Sequence, residues 1–94
     1  ETEEIAPEEF VLYQSYPNPF NPITTIKYSL PQSDIVNLKV FDILGREVAV
    51  LLNEYKTSGT YSIEFNASKF ASGVYFYQLH SGNFVETKKM VLMK

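Results

Sequence analysis

Cysteine and tryptophan are absent from this 94-residue chain, histidine occurs once and aspartate twice. The missing thiols exclude disulfides, thiolate metal ligands and cysteine nucleophiles together. His80, with only Asp34 and Asp42 to assist it, cannot furnish an ordinary zinc site, and no His/Asp/Glu cluster has ligand spacing. Gly45, Gly59, Gly73 and Gly82 are too dispersed to cradle a phosphate. No metal and no cofactor are therefore expected. No run approaches ~20 consecutive apolar residues, so no membrane-spanning helix is expected. The chain opens at Glu1 without a Met and without a basic, apolar and small-residue leader, which reads as a piece of something longer with no signal peptide.

Charge is unevenly placed. The net charge is −3, and Glu1, Glu3, Glu4, Glu8 and Glu9 are five of the eleven acids. From Phe10 onward six acids face eight Lys and Arg, so the acidity belongs to the leader. Residues 1–9 read as an acidic, solvated linker and residues 10–94 as one domain. The basic residues form no stripe, so nucleic acid is not an expected partner. What the chain does have is apolar side chains, at 45%, and seven Tyr with seven Phe, enough to pack a core without staples.

Two-residue alternation dominates. Ile26, Tyr28 and Leu30, then Val36, Leu38 and Val40, then Tyr61, Ile63 and Phe65 each alternate with polar residues, as half-buried strands do. Phe10 to Tyr13 reads as a short first strand and Phe84 to Met93 as a last one. Gly73 to Leu79 is apolar or aromatic almost throughout, as a central strand covered on both faces would be. Val48, Leu51, Leu52 and Tyr55 match a helical face, while Val48, Val50 and Leu52 match a strand; the β-branched residues favour the strand. Asp42 to Gly45 and His80 to Asn83 carry hairpin-turn chemistry, with Gly45 the expected left-handed residue. Ser58-Gly59-Thr60-Tyr61 and Ser72-Gly73-Val74-Tyr75 echo each other and predict a reused turn-to-strand geometry. Seven short strands at this spacing predict an all-β, seven-stranded antiparallel immunoglobulin-like β-sandwich, with Tyr75 placed for a tyrosine corner.

Catalytic chemistry is thin. His80 sits beside a turn, both aspartates fall near strand ends, and the Ser–Gly pairs read as turns rather than nucleophile elbows, so no enzyme is expected. Asn66-Ala67-Ser68 matches a glycosylation sequon of the kind that arises by chance. The many rings could stack on sugars, but most fall on the periodicity that builds the core. Two segments exceed what a core needs. Tyr16-Pro17-Asn18-Pro19-Phe20-Asn21-Pro22 carries three prolines and so makes a sheet edge or a rigid connector. Glu86-Thr87-Lys88-Lys89-Met90-Val91-Leu92-Met93-Lys94 reads as an exposed edge strand, its lysines serving either recognition or protection from aggregation.

These segments carry a resemblance. Tyr16 to Pro22, Thr24 to Pro31, Val40-Phe41-Asp42-Ile43-Leu44-Gly45-Arg46-Glu47-Val48, Phe70 to Tyr75 and Lys88 to Leu92, in that order, resemble the type A C-terminal sorting domain of the type IX secretion system. The likeness extends to immunoglobulin-like modules related to flagellar hook-capping proteins. It implies a domain fused behind a cargo protein of a Bacteroidetes-type bacterium, carried through the periplasm and across the outer membrane to the cell surface or the medium. It implies as partners the system's outer-membrane shuttle and a sortase-like peptidase that removes the domain, after which cargo is anchored or released. The motif residues it carries over are Pro17, Asn18 and Pro19, Gly73 and Tyr75, and Lys88, Lys89, Met90 and Val91. Pairing of two copies through edge strands is a further contact the pattern permits. The rival reading is a non-catalytic immunoglobulin-like accessory module that binds glycan or protein on its sheet faces.

Overall fold

Apolar side chains at every second position turn one side of a segment toward a common core, and the strands obey that spacing. In the computed structural model, which describes residues 6–94, seven strands form. They are β1 (Val11–Leu12), β2 (Ile23–Leu30), β3 (Asp34–Phe41), β4 (Glu47–Lys56), β5 (Gly59–Asn66), β6 (Gly73–Ser81) and β7 (Phe84–Leu92). Five residues of the acidic-linker reading, 1–5, lie outside the described residues. Among the described residues no helix forms, and so none is long and apolar enough to cross a membrane.

Every pairing between named strands is antiparallel. One sheet runs β1-β2-β5 and the other β4-β3-β6-β7. They pack as the expected immunoglobulin-like sandwich. Ile26, Tyr28 and Leu30 from the three-stranded sheet meet Val36, Leu38, Val40, Tyr77 and Leu79 from the four-stranded one, all buried. No buried side-chain polar atom among the described residues is left without a partner. Such orphans are costly inside a protein, so the core is chemically closed.

The segment that matched both helix and strand is β4, and its ambiguity has a cause. Leu38 pairs Leu52 and Lys39 pairs Val50, which leaves Leu51 unpaired; Val40 pairs Ala49 and Phe41 pairs Glu47, which leaves Val48 unpaired. Two bulges insert two residues and twice shift the phase of the alternation. A strand with two phase shifts imitates a helical spacing.

The β3–β4 turn closes with Gly45 at φ 81°, as its sequence predicts. The β6–β7 hairpin pairs Ser81 with Phe84 around Gly82 at φ 58° and Asn83, with glycine first as a type II′ loop requires. One expectation is corrected. β6 is central, but its two faces differ: Tyr75, Tyr77 and Leu79 are buried, whereas Val74, Phe76 and Gln78 are half-buried and His80 is exposed. Nothing packs over the outer face of the four-stranded sheet among the described residues, and a run of apolar letters cannot tell one covered face from two.

Candidate functional site

The two serine–glycine echoes produce one local structure twice. Gly59 and Gly73 open β5 and β6 with φ of 149° and 152°, a backbone that favours glycine. Two residues later a tyrosine hydroxyl turns back and donates to the carbonyl four residues upstream: Tyr61 to Thr57 and Tyr75 to Ala71, each at 2.7 Å. Tyr75 is the predicted tyrosine corner, and Tyr61 is a second. Both fix where a strand begins.

The proline-rich segment forms a strap between β1 and β2. Its prolines remove backbone donors, so it takes few ladder bonds of its own and is held at selected points. Tyr16 exchanges two main-chain bonds with Thr25 at 3.0 Å, and the buried Thr24 hydroxyl donates to the Pro17 carbonyl at 2.8 Å. Phe20 is buried, with its ring 6.1 Å from that of Phe65. Tyr77, buried in β6, ties the strap's root: its hydroxyl donates to the Tyr13 carbonyl and accepts the Ser15 amide, both at 2.8 Å. Burial raises the Tyr77 pKa, partly offset by the Ser15 amide, so the hydroxyl keeps its proton and both bonds at neutral pH. Pro17, Asn18 and Pro19 are left on the surface.

That strap lies along the outer edge of β7. The Val91 amide donates to Asn18 Oδ1 at 2.9 Å, and the Phe20 amide donates to the Val91 carbonyl at 2.9 Å. The Met93 amide donates to the Phe20 carbonyl at 3.0 Å, and Gln14 Nε2 donates to the Lys89 carbonyl at 2.9 Å. Lys94 then ties to the loop before β6, through its amide to Ser72 Oγ at 3.0 Å and its ammonium to the Ser68 carbonyl at 2.7 Å. The expected exposed edge is therefore corrected. From the Lys89 carbonyl through the Met93 amide its outward main-chain groups are taken, and ladder alternation leaves Val85 and Thr87 facing outward.

The side chains of the terminal run divide by register. Met90 pairs with Tyr75 and Lys88 with Tyr77, so both point to the core side; Met90 is fully buried, and Lys88 is half-buried beside Glu86 at 3.6 Å. Lys89 pairs with Phe76 and is exposed on the opposite face. The two lysines do not form one patch. What the surface presents is Pro17, Asn18 and Pro19 alongside Val91 and Lys89, with Gly73 and Tyr75 placed below as framework. Phe20, from the segment already singled out, completes this arrangement together with Gln14, Ser15 and Tyr77, which the sequence reading missed because they resemble ordinary core or loop residues there.

The remaining candidates stay apart. His80 points outward from β6 beside Asn37, Lys39 and Gln78, which line a shallow polar depression. Asp34 falls on the core side of β3 by register with Val36, and Asp42 lies in the turn at that strand's far end. Among the described residues no group of three His, Cys, Asp or Glu could hold a metal ion. Of the exposed rings, Tyr13 and Tyr16 are bonded along β2 whereas Tyr55 belongs to the other sheet, so Tyr55 shares no stacking platform with them.

A family model described as the secretion system C-terminal sorting domain matches residues 14–93. Among solved structures, a chain from the structural and functional probing of PorZ superposes with a TM-score of 0.61 at 22% identity. PorZ is described there as an essential bacterial surface component of the type-IX secretion system of human oral-microbiomic Porphyromonas gingivalis. The match covers 88% of this chain and 11% of that one, and at this identity the likeness shows the fold alone. No curated protein matches the chain.

Proposed function

The chain belongs to the secretion system C-terminal sorting domain family, and from that premise we propose that it is a type IX sorting signal read on the composite surface of the strap and β7. The observation that carries the reading is the joining of Asn18, Phe20, Val91 and Met93 by main-chain and amide hydrogen bonds. Two motif segments more than 70 residues apart become one rigid surface. The structural likeness to part of PorZ, itself described as a type-IX component, supports the system named.

Within this reading the residues have distinct roles. Pro17, Asn18, Pro19, Lys89 and Val91 meet the shuttle component, while Gly73, Tyr75, Met90 and the half-buried Lys88 hold the surface in place. Residues 1–9 link the sandwich to a cargo protein, and a sortase-like peptidase cuts in that linker, anchoring or releasing the cargo. Among the described residues no acid–base constellation gathers, and the work proposed for the domain is recognition.

A signal-peptide reporter fused ahead of residues 1–94 tests the reading in a type IX-competent bacterium. Truncation at Thr87 removes buried Met90 and Leu92 and would unfold the sandwich, so surface variants are the informative choice. Asn18→Ala with Lys89→Glu should leave the reporter in the periplasm while the purified domain still melts cooperatively. Normal surface delivery of that folded double variant would remove the composite surface from the account.

A further inference from the structure

The β3–β4 turn has an unusual tip. Hairpin loops are ordinarily polar, because their side chains face water. Here the tip is Ile43 and Leu44, with 69% and 74% of their surface exposed, the most exposed large aliphatics among the described residues. Folding does not need them. Gly45 supplies the left-handed residue, and Asp42 supplies the hydrogen bonds: its carboxylate accepts the Leu44 and Arg46 amides at 2.9 Å and Arg46 Nε at 2.8 Å. Main-chain bonds between Asp42 and both Gly45 and Arg46, each at 2.9 Å, close the turn. Two aliphatic side chains are thus held out into water on a backbone tied at five points. Behind them, Phe41 of β3 pairs with Phe76 of β6 on the sheet's outer face, so the tip continues into a half-buried apolar surface.

We infer that Ile43 and Leu44 are a preorganised docking knob that seats in an apolar pocket on a protein of the secretion machinery. This rests on the sorting reading above and adds a second contact to it. The occupant follows from charge and shape. The charges around the tip neutralise each other, Asp42 with Arg46 at 2.8 Å and Lys39 with Glu47 at 3.4 Å. A surface-binding membrane element instead carries a free basic collar for anionic headgroups. A second copy of this chain is a poor host: the depression on its outer sheet face is lined by Asn37, Lys39, Gln78 and His80, and the one beside β5 is lined mainly by the hydroxyl-bearing Tyr13, Ser29, Ser58 and Thr60, alongside Ala6 and Pro7, so neither is an aliphatic pocket. A protein pocket of matching shape fits, and the rigid turn lowers the ordering cost of entering it.

The test uses the reporter fusion described above with Ile43→Ser and Leu44→Ser combined, beside the swap Ile43→Leu with Leu44→Ile. Because both side chains are already exposed, the Ser variant should melt within about 2–3 °C of the wild type. Its surface delivery should fall by roughly tenfold or more, as loss of a central apolar anchor does, and the swap should keep most of it. Neither protein should cosediment with vesicles of phosphatidylethanolamine and phosphatidylglycerol. Wild-type delivery by the Ser variant overturns the knob, as does a large drop in its melting temperature, which would make the pair structural. Vesicle binding that the Ser variant loses overturns it in favour of a membrane contact. If the wild-type fusion itself is not delivered, the sorting reading fails first, and that result is separable from all of these.

Discussion

Removing one oxygen atom from Tyr77 should loosen the strap that covers the edge of the neighbouring strand β7. Tyr77→Phe keeps the buried ring and its packing but deletes a hydroxyl that both donates to the Tyr13 carbonyl and accepts the Ser15 amide at 2.8 Å. Ser15 is buried, so its amide loses its partner without gaining water, at about 1–3 kcal/mol. Tyr13 is partly exposed and its carbonyl recovers some solvation, so that second bond contributes about 0.5–1.5 kcal/mol. Together they give roughly 1.5–4.5 kcal/mol, a fall in Tm of about 6–36 °C for a domain of this size. Calorimetry at neutral pH reads the first quantity. Native-state hydrogen exchange reads the second: the Val91 and Met93 amides, bonded to the strap, should exchange faster relative to Leu38 in the sheet interior. A variant that melts within about 2 °C of the wild type, with Val91 and Met93 still protected, would show that Tyr77 does not hold the strap.

Gly73→Ala places a Cβ where no heavy atom stands within 4 Å, so its effect isolates backbone strain at φ 152°; a loss of about 1–3 kcal/mol is expected in urea unfolding. Asp42 has its pKa lowered chiefly by the Arg46 amide and further by the Arg46 side chain and the Leu44 amide. A depressed carboxylate contributes stability that is present above its unfolded value, about 4, and is lost as pH falls through its folded one. Asp42→Asn should therefore flatten the acid limb of a stability–pH profile, and an unchanged limb counts against the turn network. Tyr28 is pushed up to about 12, mainly by burial and then by the nearby Tyr61 and Glu54. Its neutral form favours the fold, so on the order of 2–3 kcal/mol is intact below about pH 10 and lost as pH rises toward 12. Urea unfolding across that window should show the loss, and Tyr28→Phe should abolish it.

The fold was largely legible because strand periodicity and turn chemistry are local. Ile26 to Leu30 and Val36 to Val40 announced two inner strands by alternation alone, and the Ser–Gly–X–Tyr echo announced a reused turn-to-strand geometry, although a corner was expected at Tyr75 alone and not at Tyr61. β4 blurred where bulges at Val48 and Leu51 shifted the phase. The site was legible only in part. Pro17, Asn18 and Pro19 stood out by composition and Lys88 and Lys89 by charge, but their relation did not. A hydrogen bond from the Val91 main chain to Asn18, 73 residues away, leaves no side-chain pattern to read. Tyr77 was hidden for the opposite reason, because a buried ring that anchors a strap has the same letter as one that fills a core.

The strap also bears on how the sandwich avoids pairing with its neighbours. An open edge exposes a row of unpaired amides and carbonyls, and each edge of this molecule is treated differently. β1 is two residues long. β4 is interrupted by two bulges that twist and break its ladder. β7 is covered from Lys89 onward by Gln14, Asn18 and Phe20. β5 has no such device: eight residues pair with β2 without a register shift, and its solvent side carries Thr60, Ser62, Glu64 and Asn66, a single charge among them. Two consequences follow. Among the described residues β5 is the long edge with no cover, bulge or shortening, so the fold permits edge-to-edge contact there more readily than at the terminal strand. And a partner that recognises β7 beyond Lys89 meets side chains and the strap rather than free backbone, so it can read that surface only after segments from both ends of the fold have closed on each other. The guard on the edge is then also a mark that the domain is folded, which is a useful property in a signal that a secretion machine must read.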